Sequence, residues 1–362
     1  MIGMVYCDNF MTYLKWRGDL SFKTHPFNEI DALILAELVY IHFDNIVPKV
    51  GEEGMITIRE ANARYEKSTE REMLFYKQKE ELFDVLAFSP RFAELTLCNF
   101  VNTYDEVAQQ QFAAMHVNIT PYLTFIAFRG TDSTVVGWRE DFNMSYMMPV
   151  PAQQSAVDYV NQTAKGLFKK YWLGGHSKGG NLAVYSGVFC NPKIQKKIVK
   201  INSFDGPGFN RKMVDDPAYK AVEGKISAFV PEGSIVGMLM EHEEGYKVVE
   251  STEFGLLQHE GFSWQVDRDE FVLTEEVDKF SKSFSVSLKT WLSGMTTEER
   301  KGVVDAFFGV FEAAGINDFM DIADIDVKTA GNLLKAVAKV PHEHRERIGK
   351  LIKLLIDENS KK

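Results

Sequence analysis

The chain has 362 residues, of which 45% are hydrophobic and 25% charged, which is typical of a globular protein with one sizeable α/β domain and an appendage. This composition excludes a disordered or fibrous protein. The net charge of -10, with no basic stripe evident before the carboxyl-terminal tail, argues against a nucleic-acid-binding protein, because phosphate recognition needs clustered lysine and arginine.

The amino-terminal stretch lacks the features of a secretory signal. Its apolar residues are interrupted by Asp8, Lys15, Arg17 and Asp19, and no small-residue cleavage site follows. No window of about 18 uninterrupted apolar residues occurs anywhere in the chain, so we expect no membrane span.

The three cysteines, Cys7, Cys98 and Cys190, are odd in number and far apart. They form no Cys-x-x-Cys pair and have no neighbouring histidine at metal-ligand spacing. We therefore expect free thiols in a cytoplasmic protein, with no metal and no cofactor.

Residues up to about Ser89 are predicted to be mostly helical. The stretch NEIDALILAELVYIHF begins with Asn28 as a helix cap, and TEREMLFYKQKEELFDVLAF has apolar residues at helical spacing. From Phe92 the pattern changes to three β-like runs, ELTLCNFVNTYD, QQQFAAMHVNIT and YLTFIAFRGT. We expect these runs to form a meander that leads into a buried strand.

The central part of the chain alternates between helical and strand-like patterns. Helical QSAVDYVNQTAKGLFKK and NLAVYSGVFC are interleaved with strand-like YWLGG, KKIVKINSF, GKISAFVPE and YKVVEST. Such alternation is typical of crossover units, so we predict an α/β fold with a mostly parallel central sheet and helices on both faces.

The pattern is helical again from about Thr274, and the basic, amphipathic end of the chain is interpreted as a docked helix rather than a membrane anchor. We therefore divide the chain into two parts. Residues 1–273 form the α/β domain, with residues 1–90 as a helical segment packed on it, and residues 274–362 form a helical extension.

The stretch YWLGGHSKGGNLA contains a candidate nucleophile, Ser177. Residues 175–179 match Gly-x-Ser-x-Gly between an apolar strand and a helical run, which is the context of a nucleophile elbow. A serine at this turn lies at a helix amino terminus, where free amides stabilise a developing oxyanion. The alternative is a glycine-rich turn with a serine that has no chemical role.

A serine nucleophile needs a base, and in this kind of fold the histidine comes last, after the acid. His259 lies in LLQHEGFSW, in the loop after the last predicted strand, where the base belongs. The alternative is a surface loop histidine without a catalytic role. We interpret His242 as a solvated loop residue and His176 as a packing or hydrogen-bonding residue beneath the elbow.

With these residues in place, the chain resembles the class 3, fungal-type lipases of the α/β-hydrolase fold, and more closely a group of little-characterised bacterial lipase-like proteins. The resemblance covers roughly residues 92–264. It rests on FIAFRGTDSTVVGWREDF, which is similar to the family's strand ending in Phe-Arg-Gly-Thr, and on GHSKGGNLA, which is similar to its elbow. It implies that residues 1–273 form an α/β-hydrolase domain.

The resemblance further implies an oxyanion hole made by Thr131 and the backbone amide of Lys178. A donor after an early strand and the amide after the nucleophile can both reach a tetrahedral oxygen. Lys178 replaces the leucine usual in the family, and we expect its side chain to be exposed or salt-bridged. Arg129 and Asp141 are interpreted as a structural pair.

The acid is where this sequence departs from the family. Ser234 occupies the position of the family's aspartate, and a serine cannot stabilise an imidazolium as a carboxylate does. Asp205, at the end of the preceding predicted strand, is the replacement we favour, and its placement is similar to that of the acid in pancreatic-type lipases. The alternatives are that Asp205 only binds turn amides, that Ser234 hydrogen-bonds the ring, or that Glu232 serves.

The sequence thus predicts a serine esterase or lipase with the catalytic residues Ser177, His259 and Asp205, acting on small-molecule or lipid esters. Methionines in NMSYMMPVP and IVGMLM suit an apolar acyl chain, although they equally suit a core. Two alternatives remain, a hydrolase-fold binding module that has lost turnover, and a thioesterase or acyltransferase that uses the same residues. The oligomeric state and the presence of a lid formed by the terminal helices stay open.

Overall fold

The computed structural model describes residues 9–67, 74–105, 110–131, 139–140, 142–144, 146–242, 245–293, 295–316, 327–342, 344–346, 348–349 and 352. Cys7, Asp141 and most of the basic tail therefore lie outside the described residues.

Eleven strands are assigned within this part of the chain: β1 Ile56–Thr57, β2 Thr96–Asp105, β3 Gln110–Thr120, β4 Leu123–Phe128, β5 Lys170–His176, β6 Ile198–Phe204, β7 Ile226–Pro231, β8 Tyr246–Val249, β9 Val266–Asp267, β10 Glu270–Phe271 and β11 Leu273–Thr274. Nine of them form one sheet in the order β1-β2-β3-β4-β5-β6-β7-β8-β11, and β9 pairs with β10. The three predicted β-like runs are confirmed as β2, β3 and β4.

The large sheet has a parallel centre and antiparallel margins, so that it is mixed as a whole. Pairing is parallel from β4 to β8. It is antiparallel from β1 to β4 and between β8 and β11. The α/β character and the parallel centre are as predicted. The antiparallel pairing of β2, β3 and β4 is the predicted meander. Strands β1 and β11 were not predicted, because two-residue strands are too short to leave a periodic pattern.

Twelve helices are assigned in the described residues: α1 Phe10–Arg17, α2 Glu29–Leu38, α3 Ile58–Arg64, α4 Leu74–Phe88, α5 Pro151–Thr163, α6 Lys178–Phe189, α7 Pro192–Gln195, α8 Arg211–Val214, α9 Pro217–Lys220, α10 Lys279–Ser293, α11 Thr297–Ala314 and α12 Val327–Lys339. Asn28 caps α2 as predicted, because its side chain accepts from the Asp31 amide while the Asp31 carboxylate accepts from the Asn28 amide, each at 3.0 Å. Helix α5 ends at Thr163, seven residues before the end of the predicted helical run.

The two faces of the sheet bury different helices, as the period of two along each strand requires. In β4, Phe125 and Ala127 lie in a cluster with residues of α1, α2 and α4. Ile126 and Phe128 point the other way, into a cluster with residues of α5 and α6. The amino-terminal helices therefore cover one face, and α5 and α6 cover the other.

The carboxyl-terminal helices build a third cluster of their own. Residues of α10, α11 and α12 pack with Phe142 and with Ile235, Val236 and Leu239 from the loop after β7. The predicted boundary between residues 273 and 274 falls inside β11, which pairs with β8 of the large sheet. The division of the chain at this point stays a prediction.

We expect His116, which is buried in β3, to make the protein less stable as the pH falls. Burial lowers the pKa of His116 from its ordinary 6.5 to about 3, so the unfolded chain takes up a proton before the folded chain does. Between pH 6.5 and about pH 5 this difference removes about 2 kcal/mol from the free energy of unfolding.

Urea denaturation at about pH 7.5 and about pH 5 measures this loss in the wild type and in His116→Gln. The variant should lose about 2 kcal/mol less than the wild type over that range. Equal losses in the two proteins would contradict the assignment of this pH dependence to His116.

Candidate active site

Ser177 sits between the end of β5 and the start of α6 in a strained turn. Its φ of 56° and ψ of -135° are rarely adopted by residues with side chains, and its hydroxyl does not cap α6. The Ser177 amide donates to the Phe204 carbonyl at 2.8 Å, which ties the turn to the end of β6. A strained strand-to-helix turn of this kind is the geometry that the predicted nucleophile elbow requires.

The two flanking glycines make this turn sterically feasible. A Cβ on Gly175 would lie 2.4 Å from the carbonyl carbon of Gly179, and a Cβ on Gly179 would lie 2.2 Å from the Phe128 oxygen. Strand β5, helix α6 and strand β4 therefore approach one another as closely as backbone atoms allow.

Asp205 and His259 are in contact. His259 ends a short 3₁₀ helix, Gly255–His259, and its Nδ1 lies 2.6 Å from Asp205 Oδ2. A carboxylate only accepts hydrogen bonds, so His259 Nδ1 donates and Nε2 is left to accept a proton. The Asp205 side chain is fully buried, whereas 14% of the His259 side chain is exposed.

The second carboxylate oxygen of Asp205 is held by the loop after β7. The Ser234 hydroxyl donates to Asp205 Oδ1 at 2.5 Å, and the Gly237 amide donates to it at 3.1 Å. The Ser234 hydroxyl is thus directed to the carboxylate, whereas the alternative with Ser234 would need it directed to the imidazole. Glu232, the other alternative acid, has Glu250 and Asp278 as charged neighbours, and burial raises its pKa.

His176 positions the loop that carries His259. Its Nε2 donates to the His259 carbonyl oxygen at 2.6 Å, and the two rings lie 4.6 Å apart. Burial lowers the pKa of His176, so the ring is neutral at neutral pH. Ser177 directly follows His176, so these contacts bring Ser177, His259 and Asp205 to the same edge of the sheet.

A buried ionic group connects this loop to the amino-terminal helices. Lys79 of α4 lies 3.4 Å from Glu37 of α2 and 3.0 Å from Glu260, the residue after His259. Burial alone would lower the pKa of Lys79, but the two glutamates outweigh it and raise that pKa. Burial would likewise raise the pKa of Glu260, and Lys79 holds it below its ordinary value.

Sequence reasoning missed this group because Lys79 and Glu260 are 181 residues apart along the chain. The local signal is Glu37, a fully buried charge that directly follows the apolar residues 32–36 of α2. A buried charge of this kind indicates a partner elsewhere in the fold.

The loop after β4 lies against the turn at Ser177. A Cβ on Gly130 would be 2.6 Å from the His176 oxygen and 3.0 Å from Ser177 Cβ. Thr131, the next residue, is buried. Arg129 donates to Asn102 at 2.8 Å, and its predicted partner Asp141 is outside the described residues.

The Lys178 side chain is buried and ion-paired. Its Nζ pairs with Glu140 and donates to the Gln111 carbonyl at 3.1 Å. The expected salt bridge is therefore present, and the side chain is buried rather than exposed. The Lys178 amide keeps its place in the first turn of α6, next to Ser177.

We expect Lys178→Met to destabilise the fold by about 3–5 kcal/mol, because it leaves Glu140 as a buried charge without its partner. Replacing both residues, as Lys178→Met with Glu140→Leu, should recover most of that loss, since apolar residues can substitute for a buried ion pair. Urea denaturation measures both variants. A loss below about 1 kcal/mol in the single variant would show that the pair does not have this role.

Within the described residues, no group of three or more His, Cys, Asp or Glu side chains is arranged to hold a metal ion. In the same part of the chain, no helix is long and apolar enough to cross a membrane.

Comparison with known proteins gave no curated relative. Among solved structures, the M37 lipase is 15% identical over 57% of this chain and 68% of its own, with a TM-score of 0.36. The Rhizomucor miehei lipase propeptide complex is 16% identical over 47% of this chain and 59% of its own, with a TM-score of 0.30. Yarrowia lipolytica Lip2 lipase is 14% identical over 46% of this chain and 69% of its own, with a TM-score of 0.31.

These structural similarities are too low to support a conclusion about activity. The match to a protein family is more extensive, because residues 86–309 match the Mbeg1-like family. Since this match covers more than half of the chain, the protein belongs to the Mbeg1-like family.

Proposed function

We propose that the protein is a serine hydrolase that cleaves carboxylic esters through an acyl-enzyme. The observation that carries the proposal is the contact of His259 with the buried Asp205 beside a strained Ser177 at the carboxyl edge of the parallel strands. A nucleophile, a base and a group that orients the base are the components that ester cleavage needs.

In the proposed mechanism, His259 Nε2 takes the proton of the Ser177 hydroxyl as the oxygen attacks the ester carbonyl. Asp205 keeps the proton of His259 on Nδ1 and stabilises the imidazolium that forms. The Lys178 amide and Thr131 donate to the tetrahedral oxyanion. His259 then protonates the leaving alcohol, which leaves the acyl group on Ser177. In the second half of the reaction His259 takes a proton from a water molecule as that water attacks the acyl-enzyme, and it returns the proton to the Ser177 oxygen as the carboxylic acid is released.

Ser234 supports this mechanism rather than opposing it. Its position raised the alternative of a hydrolase-fold binding module without turnover, because the family's acid is absent there. In this protein the Ser234 hydroxyl donates to Asp205, and with the Gly237 amide it fixes the carboxylate plane. The position after β7 where the family has its aspartate thus holds a serine, and the carboxylate comes from Asp205 at the end of β6.

For the substrate we propose an ester with an apolar acyl chain, in line with the resemblance to class 3 and bacterial lipase-like proteins. The methionines provide little support, because Met148 and Met238 pack against apolar clusters as ordinary gap fillers. Thioester cleavage and acyl transfer use the same residues and differ in the leaving group or the acceptor.

Turnover of p-nitrophenyl esters of increasing acyl length tests the proposal. We expect hydrolysis with an optimum in chain length, and a thioester of the optimal acyl group distinguishes the leaving groups. Wild-type protein that is folded and hydrolyses neither the esters nor the thioester would contradict the proposal and favour the binding module.

A further inference from the structure

Positive charge is concentrated in one part of this acidic chain. Residues 159–204 contain eight lysines and no aspartate or glutamate, although the whole chain has a net charge of -10. The sequence alone shows no basic stripe here, because apolar strands separate the lysines. The fold brings most of them to one edge of the sheet.

Two loops at the amino-terminal ends of β5 and β6 form this edge. Lys197 Nζ donates to the Gly166 carbonyl at 2.7 Å, and the Tyr171 amide donates to the Lys197 carbonyl at 3.0 Å. The lysines of these loops, of α7 and of the first position of β5 are hereafter called the lysine edge, which consists of Lys165, Lys169, Lys170, Lys193, Lys196 and Lys197. Lys178 and Lys200 are not counted, because they pair with Glu140 and Glu29.

The next loop along the sheet does not neutralise the lysine edge. Before β7, Glu223 lies 3.3 Å from Lys220, which balances its charge. Lys225 of the same loop donates to the Gln195 carbonyl at 3.1 Å and so adds a further cation beside α7.

Large apolar side chains project from the same edge. Leu167 and Phe168, between Lys165 and Lys169, are 80% and 76% exposed. Tyr122 is 67% exposed in the adjoining turn, where its carbonyl accepts from the Lys170 amide at 2.8 Å. Neighbouring exposed apolar side chains indicate a binding surface more often than scattered ones do.

We propose that the lysine edge, with Leu167 and Phe168 at its tip, binds the surface of a membrane that contains anionic lipids. The lysines are complementary to the lipid headgroup charge, and the two apolar side chains enter the interfacial region. The combination favours a membrane over a nucleic acid, because residues 159–204 contain no arginine and the tip presents an aliphatic leucine beside its phenylalanine.

This surface lies opposite the candidate active site. Lys170 begins β5 and Ser177 follows its end, and seven residues of strand span roughly 20 Å. A membrane-bound molecule would therefore keep Ser177 on the side facing the water. The proposal concerns a separate surface and does not depend on the proposed ester hydrolysis.

Vesicle flotation tests this proposal with phosphatidylcholine vesicles and with vesicles that also contain about 30% phosphatidylserine. We expect the wild type to float only with the anionic vesicles, and binding to be lost in about 0.5 M salt. Wild-type protein that does not bind anionic vesicles, or that binds neutral vesicles equally well, would overturn the proposal.

Two sets of variants assign the binding to this edge. Leu167→Ser with Phe168→Ser removes the apolar tip, and Lys165→Gln with Lys170→Gln and Lys196→Gln removes three exposed charges. Each set should weaken vesicle binding at least about tenfold. The substituted side chains are exposed, so the melting temperature should stay close to that of the wild type.

Matched controls change the same chemistry elsewhere on the surface. Phe88→Ser removes a phenylalanine that is 74% exposed on α4, and the triple variant Lys15→Gln, Lys23→Gln and Lys77→Gln removes three other exposed lysines. Both controls should bind like the wild type. Equal losses in controls and edge variants would overturn the assignment.

The same variants distinguish other occupants of this edge. Sedimentation of the wild type and of Leu167→Ser with Phe168→Ser would show whether a second copy covers the apolar tip. A fluorescent single-stranded oligonucleotide tests for nucleic acid. A dimer lost in the variant, or oligonucleotide binding lost in the lysine variant, in either case without vesicle binding, would overturn the proposal.

Discussion

Ser177→Ala is expected to lower kcat for ester hydrolysis by on the order of 10⁵-fold, with the fold intact. The hydroxyl is the only group removed. Ser177 does not use this hydroxyl to cap α6, so we expect the fold to tolerate its loss. What is lost is the oxygen that forms the acyl-enzyme. His259→Ala should have an effect of similar size, because residues that act as one catalytic unit each cause nearly the full loss of rate when substituted.

The matched control is Ser186→Ala, which removes a buried hydroxyl from the same helix, where it donates to the Ala183 carbonyl. Its kcat should stay within about threefold of the wild type. The comparison uses initial rates with the best p-nitrophenyl ester and a melting curve for each protein. A Ser177→Ala variant that keeps more than about a tenth of wild-type kcat would exclude Ser177 as the nucleophile.

Asp205→Asn is expected to lower kcat by about 10⁴-fold. Ser234 and Gly237 both donate to Oδ1, so the asparagine amide will orient its oxygen toward them. Its NH₂ group then faces His259 Nδ1 and forces the proton of the ring onto Nε2. In that tautomer His259 cannot accept the proton of Ser177.

Ser234→Ala provides the comparison at the position where the resemblance placed the acid. It removes one donor to Asp205 but leaves the Gly237 amide and the carboxylate, so we expect a loss of about tenfold in kcat with little change in KM. Melting curves separate these effects from a loss of fold. Equal, mild losses in the two variants would contradict the assignment of Asp205.

Local features of the fold and the site were accessible from the sequence. The cap at Asn28, the runs that form β2 to β4 and the tight turn at Ser177 depend on residues that are neighbours in the chain. The carboxylate that contacts His259 was less accessible, because chain order does not show which carboxylate a histidine reaches. The contact depends on the backbone of Asp205, which has a φ of 49° after β6, and on Ser234, which lies 29 residues later and binds the carboxylate.

Features that depend on distant contacts were not predicted. Nothing in the sequence marks Lys79 as the link between α2 and the loop of His259. For Lys178 the sequence suggested a salt bridge, but neither its partner Glu140 nor the burial of the pair. The lysine edge forms because parallel strands bring their starting loops together. Such contacts follow from the topology of the sheet rather than from any local pattern.

The central claim is that Ser177 is an activated nucleophile, and covalent labelling with a fluorophosphonate tests it most directly. Because only 5% of Ser177 is exposed, the probe should be small. Intact-mass measurement should show a single adduct on the folded wild type, peptide mapping should locate it at Ser177, and Ser177→Ala should stay unlabelled. Folded wild-type protein without an adduct, or equal labelling of the variant, would contradict the claim.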